Sequence, residues 1–237
     1  MNVRILQLIE GAKQATGLTV IIDVFRAFSL EAYMFQNGVK TIFPVGSIET
    51  AYALKEKYEK ANPGQILLAG ERHGMIQPGF DMGNSPSQLS RFDLAGKTVI
   101  HTTSAGTQGI ANAVHAEEIL GTGLVNARAT AAYIQRRAPE EVSLVCMGLE
   151  GKTPTEEDVL CARYIKSILE GSPIALEDEI ENLKVTSGAK FFDPAQSQAF
   201  PEQDFYLCTK VDIIDLVVKL EKGTDGPEYM VSIKEDF

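Results

Sequence analysis

The sequence has no tryptophan, only three cysteines and no long hydrophobic run. Cys146, Cys161 and Cys208 are odd in number and widely spaced, which argues against a disulfide framework, and no CxxC pair suggests zinc. The longest apolar run, Leu18 to Val24, is far shorter than the roughly 20 residues that span a bilayer. We therefore interpret the cysteines as small buried apolar side chains and expect no membrane partner.

The first twelve residues, MNVRILQLIEGA, lack the features of a secretion signal. They include an acidic residue, Glu10, and have neither a basic leading region with a long apolar stretch nor a small-residue cleavage site. From this we expect a cytoplasmic location.

Basic residues are too few for a nucleic-acid-binding protein. Lysine and arginine number 22 against 32 aspartates and glutamates, a formal net charge of −10, whereas proteins that hold a phosphate backbone carry a basic face. The acidic excess belongs to the second half, because residues 18–110 carry eight acidic and eight basic side chains. A long polyanion is therefore excluded as a partner, while a small anion received through a cation and arginines is compatible.

Strand and helix patterns alternate along most of the chain. The β-branched run at residues 18–24 predicts a strand buried on both faces, and further strands are predicted at 41–45, 66–69, 98–102, 118–120 and 142–147. Helices are predicted at 29–37, 47–60, 126–137 and 155–170, with shorter ones from about residues 86 and 106. This alternation predicts a three-layer α/β/α fold with a mainly parallel sheet.

The C-terminal segment departs from this alternation. Residues 216–220 and 229–233 flank the connection KGTDGP and predict a β-hairpin. We treat residues 1–237 as a single α/β domain, with two α/β subdomains divided near residues 121–126 as the alternative.

Charged side chains follow the carboxyl ends of the predicted strands, where α/β sheets bind ligands. Asp23 and Arg26 follow one strand, Glu71 and Arg72 follow another, and Asp81 lies in a glycine-rich segment beyond. Mg²⁺ binds a few carboxylates and keeps water or substrate oxygens in its remaining positions. The three carboxylates are therefore candidate metal ligands and the two arginines candidate anion ligands, with a salt bridge and helix cap as the alternative for Asp23 and Arg26.

The turn HTTSAGT at residues 101–107 places hydroxyl groups and a glycine directly before a predicted helix. Free N–H groups at such a position favour an anion, although a simple N-cap is the alternative. The turn lacks the lysine and the spacing of a P-loop, which argues against a nucleoside triphosphate. The candidate substrate-binding residues in this turn and in the preceding NSP segment are Asn84, Ser85, Thr102, Thr103, Ser104, Gly106 and Thr107.

Several phosphatase chemistries lack their signatures here. No arginine lies six positions after a cysteine, Phe25 stands where a second aspartate would follow Asp23, and no GxSxG elbow is present. One alternative survives, because Arg72-His73-Gly74 is the RHG triplet of histidine phosphatases, although that triplet normally opens the chain. The other two histidines, at positions 101 and 115, are interpreted as structural.

Three segments resemble the signature blocks of the magnesium-dependent 2-phosphosulfolactate phosphatases: VIIDVFRAFS, GERHGMIQPGFDMGNSP and TTSAGT. GLEGKTPTEED, at 148–158, resembles that family's glycine-containing loop followed by two acids at a helix start. The resemblance implies an α/β fold, Mg²⁺, and hydrolysis of 2-phospho-3-sulfolactate to sulfolactate on the way to coenzyme M. The catalytic residues that it implies are Asp23, Arg26, Glu71, Arg72, Asp81, Glu157 and Asp158.

Glu157 and Asp158 stand at the start of a predicted helix. Either carboxylate is a candidate to orient or deprotonate the attacking water, and simple complementarity to the helix dipole is the alternative.

The sequence departs from the family pattern beside the expected substrate. Ala105 stands where an asparagine is expected, His73 where a small residue is common, and the glycine-containing loop is altered at Leu149-Glu150. The reaction type is therefore predicted more firmly than the leaving group. The expected partner is a small anionic phosphorylated substrate, a homodimer is one option for the assembly, and a catalytically silent anion-binding domain is the alternative to an enzyme.

Overall fold

The computed structural model describes residues 1–223 and 226–234. Within them, ten strands form one mixed sheet flanked by helices. The strands are β1 (Asn2–Gln7), β2 (Gly17–Ile22), β3 (Thr41–Pro44), β4 (Ile66–Arg72), β5 (Met75–Ile76), β6 (Thr98–Thr102), β7 (Ala116–Thr122), β8 (Glu141–Cys146), β9 (Leu216–Glu221) and β10 (Tyr229–Lys234). The α-helices are α1 (Leu8–Lys13), α2 (Ala27–Gln36), α3 (Ile48–Glu59), α4 (Gly106–Asn112), α5 (Ala127–Arg137), α6 (Glu156–Leu169), α7 (Glu177–Leu183) and α8 (Glu202–Cys208).

The strand order is β1-β8-β2-β7-β9-β10-β3-β6-β4-β5. The first four strands of this order form one parallel block, and β3, β6 and β4 form a second. The C-terminal hairpin β9–β10 lies between the blocks and pairs antiparallel with β7 and with β3. Because three antiparallel steps separate β7 from β3, the two blocks run in opposite directions.

Helices cover both faces of the first block. Ile21 on β2 faces a buried apolar cluster that includes side chains from α1, α2 and α4, whereas Val20 and Ile22 face a second cluster that includes α5 and α6. A strand buried on both faces reads as a continuous apolar run, which explains the composition of residues 18–22. The predicted α/β architecture, with a mostly parallel sheet and helices around it, is confirmed.

The predicted strands and helices agree with the observed ones to within a few residues. Ser47 caps α3, its hydroxyl accepting the N–H of Thr50 at 3.1 Å. The C-terminal hairpin is confirmed, although residues 224 and 225 of its predicted connection lie outside the described residues. Sequence reasoning missed β1, β5, α1, α7 and α8, which are all short.

None of the described helices combines the length and the hydropathy needed to cross a membrane.

Candidate active site

A cavity of about 210 Å³ lies where the segments that follow β2, β4, β6 and β8 come together. The irregular segment between α7 and α8 contributes to its wall. Six of its lining residues belong to the set predicted from sequence. They are Asp23, Arg26, Glu71, Asn84, Ser104 and Glu157.

Asp23 is the buried carboxylate at the end of β2. Its Oδ1 atom accepts the N–H of Ala27 at 3.1 Å, and Oδ2 accepts the N–H of Gly106 at 2.9 Å. The pKa of Asp23 is raised to about 6, chiefly by burial; the nearby charges of Glu71 and Glu157 add to the rise, and the two backbone hydrogen bonds oppose it. The three carboxylates therefore share one electrostatic environment.

Glu71, at the end of β4, is bound by two further backbone donors. Its Oε1 atom accepts the N–H of Ser104 at 2.9 Å, and Oε2 accepts the N–H of Gly74 at 2.8 Å. Together with the bond from Gly106 to Asp23, this means that the turn after β6 directs two of its N–H groups at carboxylates of the protein. The structure thus revises the expectation that this turn offers those groups to a substrate anion.

The threonine hydroxyls of the same turn are also used internally. The Thr103 N–H donates to the Thr107 hydroxyl at 3.1 Å, and the Thr107 N–H donates to the Thr103 hydroxyl at 3.2 Å. Thr102 accepts Nη2 of Arg72 at 2.9 Å, while Nη1 of that arginine donates to the carbonyl of Glu71 at 2.6 Å. Arg72 and the three threonines Thr102, Thr103 and Thr107 do not line the cavity. Their role is to shape the turn.

Asp81 lies apart from the other predicted metal ligands. It forms an ion pair with Lys55 at 2.9 Å and accepts the N–H of Leu68 at 2.7 Å. Its neighbours Phe80 and Met82 are buried, whereas Asp81 itself is exposed. The structure therefore does not bring Asp81 to the cavity, in contrast to the sequence-based expectation.

Arg26 is a buried cation on the cavity wall. Its Nη1 atom donates to Oδ2 of Asp204 at 2.7 Å, and the guanidinium carbon lies 5.0 Å from the centre of the Phe200 ring. Asp204 also accepts the Ser85 hydroxyl and the Ser87 N–H, each at 2.9 Å. Asp204 thus holds the guanidinium of Arg26 and is itself held by Ser85 and Ser87. Because the Ser85 hydroxyl is used in this contact, Ser85 does not line the cavity.

Glu157 and Asp158 are adjacent but have different surroundings. Asp158 accepts the N–H of Val24 at 2.8 Å and that of Gly148 at 2.7 Å, and so ties the end of β2 to the loop after β8. Burial raises the pKa of Asp158 well above its ordinary value, with the charges of Glu157 and Asp23 adding to the shift. Glu157 lines the cavity, and its buried Oε2 atom accepts no hydrogen bond from the described residues.

Asn84 is held from behind by a buried pair. The Nε2 atom of His101 lies 3.1 Å from Oδ1 of Asn84, and its Nδ1 atom lies 2.7 Å from Oε1 of Glu31. All three side chains are buried. The structural role predicted for His101 therefore includes holding a residue of the cavity wall, a role that sequence reasoning missed because Glu31 lies in the middle of α2, away from every strand end.

The rim of the cavity carries His73, whose side chain is 81% exposed and whose Nδ1 atom lies 2.6 Å from Oε1 of Glu150. In the sequence, Glu150 stands out only as a departure from the family pattern. Lys190 and Phe200 also line the cavity and were not predicted, because they belong to an irregular segment without a motif.

The cavity offers carboxylate oxygens, which are ligands that Mg²⁺ prefers. Among the described residues, no three acidic, histidine or cysteine side chains form a ready-made metal cluster. Mg²⁺ needs fewer protein ligands, since it binds one or two carboxylates and takes its other oxygens from water and substrate phosphate. Each carboxylate oxygen of Asp23 and of Glu71 accepts one N–H, which leaves lone pairs for a cation. The Oε2 atom of Glu157, which has no hydrogen-bond partner among the described residues, is a further oxygen beside them. This donor set fits a partly hydrated magnesium ion.

The fold and the cavity together define an α/β protein in which buried carboxylates and a fixed arginine line one small cavity. A family model described as 2-phosphosulpholactate phosphatase matches residues 4–223. A probable 2-phosphosulfolactate phosphatase of Bacillus subtilis is 31% identical, over 89% of this chain and 90% of its own length. Relatives with the same name from Caldicellulosiruptor saccharolyticus and Carboxydothermus hydrogenoformans are 34% and 36% identical, over 84% and 76% of this chain and 86% and 72% of their own lengths.

The chain therefore belongs to the 2-phosphosulfolactate phosphatase family. The predictions of family and of a hydrolase acting on phosphate monoesters are confirmed.

Proposed function

We propose that this protein hydrolyses the phosphate monoester of 2-phospho-3-sulfolactate to sulfolactate and phosphate, with Mg²⁺ as its cofactor. The observation that carries the proposal is the pairing of buried carboxylates with a fixed arginine around one small cavity. The substrate is supported by the family match and by the names of the relatives.

Asp23 and Glu71 would hold the cation. A phosphate dianion is repelled by these carboxylates, and a bound Mg²⁺ supplies the charge that neutralises the phosphoryl oxygens. Arg26 contributes a planar set of N–H donors that matches an oxyanion, and its bond to Asp204 keeps that set in place before the substrate arrives.

Glu157 is assigned as the general base. Its side chain lines the cavity, and its buried Oε2 atom has no hydrogen-bond partner among the described residues, so this carboxylate is able to accept a proton from the attacking water. Water adds to phosphorus as it gives one proton to Glu157, the bond from phosphorus to the C2 oxygen breaks, and this oxygen takes up the proton from Glu157 and leaves as the hydroxyl group of sulfolactate. Asp158 acts as a positioning residue, because both of its oxygens already accept backbone N–H groups.

Phosphate release from 2-phospho-3-sulfolactate, measured with and without Mg²⁺, tests the proposal. The wild-type protein is expected to show metal-dependent turnover, and Glu71→Gln to lose it by about 100-fold or more. Glu156→Gln is the matched control, because Glu156 is exposed on the first turn of α6. Unaltered metal-dependent turnover in both Glu71→Gln and Asp23→Asn would contradict the assignment of the cation ligands.

The alternative reaction uses His73 as a phosphorylated nucleophile, and its position on the cavity wall favours testing it. His73→Ala separates the two reactions: the phosphohistidine route requires activity to vanish, whereas the proposed route leaves most of it. A silent anion-binding domain is distinguished by calorimetry, since it would bind sulfolactate or phosphate tightly and hydrolyse no phosphate monoester.

The cytoplasmic location, the homodimer and the place on the route to coenzyme M stay predictions that rest on the sequence.

A further inference from the structure

Lys190 lines the cavity from the short 3₁₀ helix Ala189–Phe192. Its Nζ atom lies 5.3 Å from the centre of the Phe200 ring, 5.6 Å from that of Phe191 and 5.9 Å from that of Phe25. Such distances allow cation–π attraction to each ring. Three aromatic rings thus hold an ammonium group at the cavity wall.

The ammonium group of Lys190 forms no ion pair within the described part of the chain, although four carboxylates line the same cavity. Lys152, on the neighbouring loop, by contrast reaches Glu150 at 3.6 Å. Rings hold a cation without neutralising it. The positive charge of Lys190 therefore stays available to an anionic ligand.

Lys190 and Arg26 occupy the same wall of the cavity. The guanidinium carbon of Arg26 lies 5.0 Å from the centre of the Phe200 ring and 5.9 Å from that of Phe191, so two rings contact both cations. Arg26 has the buried counter-ion Asp204, whereas Lys190 has none among the residues that the structure describes. The cavity is therefore lined both by a group of aromatic and cationic side chains and by carboxylates.

We propose that Lys190 binds the sulfonate group of 2-phospho-3-sulfolactate. It would thereby determine specificity for phosphate esters that carry a sulfonate on the carbon next to the phosphate-bearing one. This inference rests on the proposed function. With the phosphoryl group at the carboxylates, the substrate carboxylate sits on the same carbon as the phosphate, and the sulfonate sits one carbon farther away. The planar guanidinium of Arg26 matches a planar carboxylate, and an ammonium group, as a compact charge with three donors, suits the three oxygens of a sulfonate.

The test compares two substrates and three proteins. Turnover of 2-phospho-3-sulfolactate and of 2-phospholactate, which lacks the sulfonate, is measured for the wild type, Lys190→Met and Lys184→Met. Lys184 is the matched control, because its Nζ atom lies 5.5 Å from the Tyr206 ring and its side chain is outside the cavity.

For Lys190→Met we expect KM for 2-phospho-3-sulfolactate to rise about tenfold or more, which is about 1.4 kcal/mol, with kcat within about threefold of wild type, because the variant loses a charge-assisted contact to the substrate. KM for 2-phospholactate should stay within about twofold, and Lys184→Met should match the wild type on both. An equal rise on both substrates, or no rise on either, overturns the proposal. Lys190→Gln repeats the test if thermal melting shows that the methionine variant is unfolded.

Failure of the proposed function is distinguishable from failure of this inference. If the wild type hydrolyses neither substrate, the phosphatase proposal fails, and calorimetry with 3-sulfolactate and lactate then tests Lys190 by itself. Weaker binding of 3-sulfolactate by Lys190→Met, with lactate unaffected, supports the sulfonate contact, and equal binding by both proteins refutes it.

Discussion

The Asp23 carboxylate accepts the backbone N–H of Gly106 at 2.9 Å. This bond joins the segment after β2 to the segment after β6, and these strands belong to blocks that run in opposite directions. A Cβ atom on Gly106 would lie 3.0 Å from Oδ2 of Asp23 and 3.0 Å from Cβ of Ala27. The glycine is therefore a packing requirement of the cavity.

Gly106→Ala is expected to lower kcat for phosphate release by about 10- to 100-fold, because it displaces a carboxylate that holds the cation. Gly46→Ala is the control, since a Cβ there would meet nothing closer than the Gln108 side chain at 3.6 Å. Steady-state kinetics of both variants check this, and full turnover by Gly106→Ala would show that the contact is dispensable.

The pH dependence of stability follows from the pKa of Asp23, which is about 6 in the fold against an ordinary value of 3.8. Between these values the folded protein keeps a proton that the unfolded chain has released, so the contribution of Asp23 to the free energy of unfolding falls as pH rises. The loss amounts to on the order of 3 kcal/mol and is complete above about pH 6.

Urea unfolding of the metal-free protein and of Asp23→Asn, from pH 4 to pH 7, measures this loss as a difference between the two proteins. The wild type should lose stability relative to the variant as pH rises, and added Mg²⁺ should offset the loss in the wild type. A constant difference across the whole range would refute the shift of the Asp23 pKa.

Glu157 and Asp158 should separate into a catalytic and a positioning residue. Glu157→Gln is expected to lower kcat by about 100-fold or more with little change in melting temperature. Asp158→Ala leaves the N–H groups of Val24 and Gly148 without an acceptor, and should cost about 1–3 kcal/mol of folding free energy for each. Steady-state kinetics and thermal melting of the two variants check this, with Glu156→Gln, at an exposed position, as the control. The same loss of kcat and of melting temperature in Glu157→Gln and Asp158→Ala would contradict the division.

The buried pair of His101 and Glu31 yields a stability prediction. His101→Phe leaves the buried Glu31 side chain without this hydrogen-bond partner, and should cost about 1–3 kcal/mol. Urea unfolding measures the cost, and His115→Phe, at an exposed position, should change stability by less than about 0.5 kcal/mol. A loss in His101→Phe no larger than in the control would mean that the pair does not stabilise the fold.

Asp81→Asn distinguishes the structural assignment from the one that the sequence suggested. Because Asp81 pairs with Lys55 outside the cavity, we expect metal-dependent kcat to stay within about threefold of wild type. Loss of magnesium dependence in this variant, measured by titrating the metal during phosphate release, would restore Asp81 as a cation ligand.

Most of the local structure was predictable because its signals are local. The β-branched run at 18–22 and the Ser47 cap of α3 each depend on neighbouring residues, and both agree with the structure. The short helix α7 and the segment carrying Lys190 were not predictable, since their positions depend on packing against distant parts of the chain.

Six of the predicted site residues meet in the cavity because strand ends are identifiable in the sequence and ligands bind there. The sequence did not show which way each side chain points. Asp81 faces Lys55, and the N–H groups of Ser104 and Gly106 face carboxylates rather than solvent. These directions depend on long-range contacts.

The sequence by itself determined the family, the alternation of strands and helices, and the carboxylates Asp23 and Glu71 as parts of the site. Its acidic balance excluded a polyanion but left open how a small anion is received. Only the tertiary structure placed the C-terminal hairpin between two opposed strand blocks, and brought Asp204 and Lys190 to Arg26. The physical reason is that strand pairing and the burial of charges couple residues far apart in the chain, and the spacing of residues along a sequence does not report that coupling.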